Sequence, residues 1–150
     1  MLHAFSRSEQ LLGKEGLKKL AESTVAVFGI GGVGSYTVEA LARAGVGTLV
    51  LVDHDVVSLT NLNRQLVALR STIGRKKVQV AKERIMDINE NAVVHTYDTF
   101  FGAETADIFD FRAFDYIVDA VDTVSAKLLL IEKAKAAGVP VISCMGTGNK

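Results

Sequence analysis

The chain predicts a doubly wound α/β domain built on a mostly parallel sheet, and three observations point there. Strand-like and helix-like stretches alternate from residue 24 onward. A glycine cluster, GIGGVG at residues 29–34, separates the first strand from the helix that follows it. The second strand is apolar throughout, as a strand covered on both faces must be. Such alternation gives parallel neighbours joined by right-handed crossovers. At 150 residues, 49% of them hydrophobic, the chain can build one domain with a sizeable core.

The elements follow in order. Residues 8–22 place Leu11, Leu12, Leu17 and Leu20 at mixed helical spacing, interrupted by Gly13 and Gly16, which predicts a broken or short helix. The β-branched run at 24–28 (TVAVF) is the first strand. After the glycines a helix begins at Ser35; Val38, Leu41, Ala42 and Ala44 form its apolar face, and Gly45 suits its C-terminal cap. Residues 48–53 (TLVLVD) are the second strand and end in a carboxylate. A polar stretch, HDVVSLTNLNRQ, follows. Beyond Gly74, Val78, Ala81, Ile85 and Ile88 recur at spacings of three and four, the mark of an amphipathic helix. A third strand is expected at 92–96, a short helix at 103–109, a fourth strand at 116–121 and a helix at 125–137 closed by Gly138. A fifth, buried strand is expected at 139–144. The chain stops at GTGNK without a closing helix, so these residues are expected to be the N-terminal piece of a longer chain.

Composition excludes several classes. Seventeen basic and seventeen acidic residues give zero formal net charge, so no global field draws the chain to nucleic acid or membrane. A single cysteine, Cys144, excludes an internal disulfide and a four-cysteine zinc site and fits a reducing cytoplasm. Set in an apolar strand, it is expected to pack in the core. Neither a signal peptide nor an apolar run of membrane-spanning length is present, so a cytoplasmic protein without membrane partners is expected. His3, His54 and His95 are scattered without metal-ligand spacing and take no catalytic role.

The chemistry starts at the glycines. Gly29, Gly31, Gly32 and Gly34 allow a tight turn and let backbone approach phosphate, while free N–H groups at the helix start favour an anion. By themselves they say only nucleotide, on a Rossmann-like scaffold. Asp53 stands nineteen residues after Gly34, where such a fold places the carboxylate that binds ribose hydroxyls. Asp55, Asn61, Arg64, Gln65 and Lys77 come next. A dinucleotide dehydrogenase needs no Arg and Lys here, whereas a triphosphate does: Arg offers a planar fork of donors and Lys a compact charge. From Arg64 to Arg84 there are seven basic residues against one acidic residue, Glu83. Arg75, Lys76, Lys82 and Arg84 read as a solvated helix face, Arg64 and Lys77 as phosphate ligands. Asp122 ends the fourth strand and is expected to face the same crevice, placed to hold Mg²⁺ between phosphate oxygens. Its rival role is to cap the next helix. Asp119, three residues earlier, is expected to point to the opposite face and is the weaker candidate.

GIGGVG, VDHDVVSLTNLNRQ, IGRKKV and VDAVDT, in this order, resemble the adenylating domain shared by ubiquitin-activating enzymes and the bacterial activators of sulfur-carrier proteins. Within that superfamily FSRSEQLLGKEGLKKL, ALARAGVGTLVLVD and PVISCMGTGNK are most similar to the tRNA threonylcarbamoyladenosine dehydratases. The resemblance implies ATP as cosubstrate with Mg²⁺, and adenylation of a carboxylate. Carried over motif by motif, Gly31 and Gly32 approach the phosphates and Asp53 holds the ribose. Asn61, Arg64, Gln65 and Lys77 handle the triphosphate, Arg64 and Lys77 stabilising charge as pyrophosphate leaves. Asp122 binds the metal. Arg7 resembles an arginine that relatives extend into a partner subunit's ATP site, which implies a homodimer. The dehydratase resemblance implies tRNA as partner, an acyl adenylate, and ring closure by a neighbouring group that needs no protein thiol. The chain departs from the sulfur-carrier activators in having no CxxC pair for zinc and no cysteine placed for thioester transfer. Three rivals stand beside this reading: an activator of a ubiquitin-like or sulfur-carrier protein, an NAD-binding oxidoreductase, and a non-catalytic nucleotide-gated partner domain. The oxidoreductase suits Asp53 but leaves Arg64, Lys77 and Asp122 without work.

Overall fold

The computed structural model describes residues 1–145. Its strands are β1 (Thr24–Phe28), β2 (Thr48–Val52), β3 (Val93–Tyr97), β4 (Tyr116–Asp119) and β5 (Val141–Ser143). They form one sheet in the order β3-β2-β1-β4-β5, and every neighbouring pair is parallel. The helices are α1 (Ser6–Ala21), α2 (Gly34–Ala44), α3 (Lys77–Ile88) and α4 (Val124–Ala137). The Rossmann-like α/β fold expected from the alternation is the observed one.

Two cores lie on the two faces of the sheet, because successive residues of a strand point to opposite sides. Val25 and Val27 of β1 join Leu49, Leu51, Val38, Val78 and Ile85 under α2 and α3. Ala26 and Phe28 face the other way, into a cluster with Phe101, Phe109, Phe111, Phe114, Ile117 and Leu130. The ring of Phe28 lies 5.0 Å from that of Phe101 and 5.4 Å from that of Phe109, both edge-on, an arrangement aromatic quadrupoles favour. Strand order reverses beside β1, between β2 and β4. Ligands of open parallel sheets bind beyond the carboxyl ends of the strands at such a reversal.

The helix boundaries follow local rules. Gly13, at φ 71° and ψ 172°, breaks α1 as expected, and none of α1 is buried. Gly45 and Gly138 close α2 and α4 in the left-handed conformation. The differences come from long-range contacts. The third strand begins one residue late, at Val93. The short helix expected at 103–109 shrinks to a 3-10 turn, Ala106–Ile108, and a second turn, Phe111–Ala113, follows it. Phe109, Phe111 and Phe114 all enter the core here, at spacings that one helix face could not serve. The fourth strand ends at Asp119 instead of 121: the Ala120 N–H makes the last bond, to the Phe28 carbonyl at 2.8 Å, and the chain then leaves the sheet. The fifth strand is shorter than expected and not buried. Its described residues pair with β4 alone, Val141 and Ser143 are half-buried and Ile142 is 56% exposed. The GTGNK ending, on which the expectation of a longer chain rested, lies outside the described residues. No helix among the described residues is long and apolar enough to cross a membrane.

Candidate active site

A cavity of about 710 Å³ opens beyond the carboxyl ends of β1, β2 and β4. Gly29, Gly31, Gly32, Asp53, Asp55, Asn61, Arg64, Gln65, Lys77 and Asp122 all line it. The glycine turn forms one wall. Gly29 sits at φ 94°, where a side chain would be strained, and a Cβ there would come within 2.5 Å of the Ala120 carbonyl oxygen. At Gly31 and Gly32 the nearest atoms to an added Cβ, Gln65 Nε2 and Arg64 Cδ, are 3.6 Å away. A side chain would fit there, but it would fill the space in which a phosphate can meet the backbone. Gly34 departs from expectation. It does not line the cavity, and a methyl group on it would overlap the Gly29 carbonyl, so its glycine serves the packing of the turn against α2. Just behind, α2 opens with no acidic residue in its first turn, leaving its positive end to the cavity.

Asp53 joins this wall to β2. One carboxylate oxygen accepts the Ile30 N–H at 2.7 Å and the other accepts the Asp55 N–H at 2.7 Å. It therefore clasps the glycine turn as well as facing the cavity, and each oxygen keeps a lone pair for a ribose hydroxyl. His54 also lines the cavity, edge-on to Phe100 with centroids 5.3 Å apart. Asp53, His54 and Asp55 bring three potential ligand atoms within 4.8 Å of one another, a grouping their adjacency in sequence did not suggest.

Lys77 arrives by a tertiary route. Val56 pairs with Lys76 in an isolated antiparallel bridge, and the Lys77 N–H donates to the Asp55 carbonyl at 3.1 Å. This carries the start of α3 to the loop after β2. The Lys77 side chain is 5% exposed, and its Nζ lies 3.6 Å from Asp55, whose own side chain is 54% exposed. A largely buried lysine whose ammonium has, among the described residues, one distant and solvated carboxylate is under-compensated and can take a further anion. Arg64 is exposed; its Nη1 donates to the Thr60 carbonyl at 3.2 Å and to Asn63 Oδ1 at 2.9 Å, neither of them a carboxylate. Asn61 is buried and accepts the Ser58 N–H at 2.9 Å, which holds the turn that presents Arg64. Gln65 is buried too, and among the described residues its Oε1 has no hydrogen-bond partner. An orphaned buried acceptor beside Gly31 is the kind of group a ligand or water satisfies.

Three other cations of this stretch are engaged by carboxylates. Arg75 meets Glu83 at 2.6 Å, Lys76 meets Asp98 at 2.7 Å, and Arg84 meets Glu39 at 2.6 Å. The Arg84 hydrogen bond holds the Glu39 carboxyl below the usual carboxylate range against the opposing effect of burial, with Arg43 assisting.

On the far wall, Asp122 is exposed at the cavity, and Thr123 rather than Asp122 is the N-cap of α4. Asp119 turns away from the cavity, fully buried, and pairs with Lys127 at 3.3 Å. Lys127 lines the cavity and belongs to no motif; the available signal is a lysine in the first turn of α4, just ahead of the apolar run at 128–131. Cys144 corrects the core-packing expectation: it is half-buried in the cavity wall, just past the end of β5, whose described residues pair with β4 alone. Phe100 and Phe101, beside Asp53's end of the cavity, carried no motif. Arg7 lies exposed on α1 and does not reach the cavity of its own chain.

The ThiF family profile matches residues 5–150. The chain belongs to the ThiF family. A Bacillus subtilis protein named tRNA threonylcarbamoyladenosine dehydratase is 51% identical over 150 residues, covering 100% of this chain and 59% of the relative. The crystal structure of E. coli tRNA N6-threonylcarbamoyladenosine dehydratase, TcdA, in complex with ATP superimposes with a TM-score of 0.94 at 37% identity, over 98% of this chain and 60% of that one. The adenylyltransferase and sulfurtransferase UBA4 of Vanderwaltozyma polyspora is 37% identical over 95% of this chain and 32% of its own. The resemblance read from the four motifs therefore stands. The chain spans a little over half the length of the curated dehydratases it matches, 54% of the E. coli one.

Proposed function

We propose that this domain binds ATP and adenylates a carboxylate, and that the carboxylate belongs to threonylcarbamoyladenosine in tRNA. The observation that carries the reading is the convergence of Lys77 and Arg64, cations with a weak carboxylate partner or none among the described residues, on the glycine turn and Asp53. Asp53 receives the ribose. Gly31 and Gly32 offer backbone to the phosphates, and Gln65 Oε1 finds a partner in the bound nucleotide or its water. As the substrate carboxylate bonds to the α-phosphorus and the α–β bridge breaks, charge grows on departing pyrophosphate; Arg64 and Lys77 are fixed where it grows. Asp122, exposed and not spent as a helix cap, suits a hard divalent cation, and Mg²⁺ held there would neutralise phosphate charge. In the dehydratase reading a group within the same modification then closes on the activated carbonyl and expels AMP, with net loss of water. Pre-positioning of that nucleophile removes the need for a protein thiol.

The dehydratase assignment draws on the similarity to proteins of that name across this whole chain. Arg7, exposed on α1, is read as entering the site of a second copy, which makes the working assembly a homodimer in the cytoplasm. The UBA4 similarity supports a second reading, activation of a ubiquitin-like or sulfur-carrier protein. The deciding experiment measures AMP formed from ATP with tRNA carrying threonylcarbamoyladenosine and with tRNA lacking it. AMP formed only with the modified tRNA, with one water lost from the nucleoside mass, is the expected result. AMP formed only with a carrier protein transfers the proposal to the second reading, and absence of ATP binding defeats both.

A further inference from the structure

We propose that Lys127 is a positioning residue: its buried ammonium joins the carboxyl ends of β4 and β5 and thereby sets the loop that carries Asp122. The inference rests on the adenylation reading above, in which Asp122 holds the metal. Lys127 Nζ lies 3.3 and 3.4 Å from the two oxygens of Asp119 and donates to the Cys144 carbonyl at 2.5 Å. The same carboxylate accepts the Ser143 Oγ–H at 2.5 Å and the Val121 N–H at 3.2 Å. The Cys144 N–H returns to the Asp119 carbonyl at 2.9 Å. One buried ion pair thus collects the end of β4, the residue adjoining Asp122, the first turn of α4 and the end of β5.

Three features separate this from an ordinary stabilising pair. Asp119 is fully buried and the Lys127 side chain is 10% exposed, yet buried ion pairs are often replaceable by apolar residues without loss of stability. Stability alone therefore gives little reason for the pair. Lys127 also forms part of the cavity wall alongside Asp122 and Cys144. Finally, the loop it holds backs directly onto the glycine turn, where Ala120 leaves no room for a Cβ on Gly29. A shift of the loop would move Asp122 relative to the phosphates. A group that orients a metal ligand without touching the metal acts through geometry.

The test is ATP binding by calorimetry on the full chain, with and without Mg²⁺, for the parent, Asp122→Asn, and the apolar pair Asp119→Leu/Lys127→Met. The apolar pair is expected to fold and to lose about ten-fold or more of the affinity that Mg²⁺ adds, beyond any change that removing a cavity-wall cation makes to Mg²⁺-free affinity, as outer-shell changes do. Adding Asp122→Asn to it should cost nothing further. A folded pair that keeps the Mg²⁺ increment, or one that loses affinity equally with and without Mg²⁺, overturns the inference. If the pair does not fold, Ser143→Ala carries the test from a half-exposed strand: a smaller increment at unchanged Mg²⁺-free affinity is expected, and an unchanged increment overturns it. A parent that binds ATP without any Mg²⁺ increment overturns the metal role of Asp122 and this inference with it, leaving nucleotide binding intact. A parent that binds no ATP overturns the functional reading itself.

Discussion

Lys76 and Lys77 are adjacent in the sequence and occupy opposite environments. The Lys76 side chain is 60% exposed and ends 2.7 Å from Asp98, a solvated surface pair. The Lys77 side chain is 5% exposed, faces the cavity, and has its nearest carboxylate 3.6 Å away on an exposed side chain. The same division separates three more cations: Arg75 and Arg84 are satisfied by Glu83 and Glu39, whereas Arg64 donates to neutral oxygens and meets no carboxylate among the described residues. Positive charge near a site is therefore no guide to its use. What matters is whether a carboxylate of the chain already answers it, since exposed pairs are worth little and an unanswered buried cation attracts an anion.

The contrast is broken most directly at Lys77. Lys77→Ala should lower ATP–pyrophosphate exchange by about 10²–10³-fold, the effect of deleting one preorganised charge-stabilising group, with the circular dichroism of the fold retained. Exchange at the parental rate would end the triphosphate assignment. Asp53→Ala comes next. Loss of ribose contacts and of the clasp on Ile30 should weaken ATP binding by about ten-fold, and calorimetry showing parental affinity would remove Asp53 from the nucleotide site. A smaller effect sharpens the paired side of the comparison. Because Arg84 lowers the Glu39 carboxyl in the fold, its stabilisation is fully present above the unfolded carboxylate pKa and is lost as pH falls through the folded pKa. Glu39→Gln should cost about 0.5–1 kcal/mol at neutral pH, discounted because Arg84 is partly solvated. Melting temperatures of parent and variant should converge on acidification; a gap that persists at the acid end would show the pair is not its source. Smallest of all, Lys76→Ala should leave pyrophosphate exchange within about two-fold, as expected of a surface pair. A large loss there would erase the distinction between the neighbours.

The candidate site was legible where chemistry was tied to a local pattern. Gly31, Gly32, Asp53, Asn61, Arg64, Gln65, Lys77 and Asp122 were all named by motif, and all line one cavity. Gly34 was misjudged because a glycine that avoids a carbonyl and one that admits a phosphate look the same in sequence; the overlap with Gly29 decides between them. Lys127 gives no sequence signal of its role because its partner Asp119 lies on another element, and the apolar run ending at Cys144 does not reveal that this residue leaves the strand into the cavity wall.

By itself the sequence determined the alternation of strands and helices, the glycine turn, the caps at Gly45 and Gly138 and the break at Gly13. Each depends on the backbone freedom and side-chain period of a few consecutive residues. Only the tertiary structure decided that Lys127 is buried against Asp119, that Cys144 stands in the cavity wall, and that Phe109, Phe111 and Phe114 replace a regular helix with two short turns. Those outcomes depend on groups arriving from distant parts of the chain, and the cost of burying a charge or leaving a cavity is set by them, not by sequence neighbours.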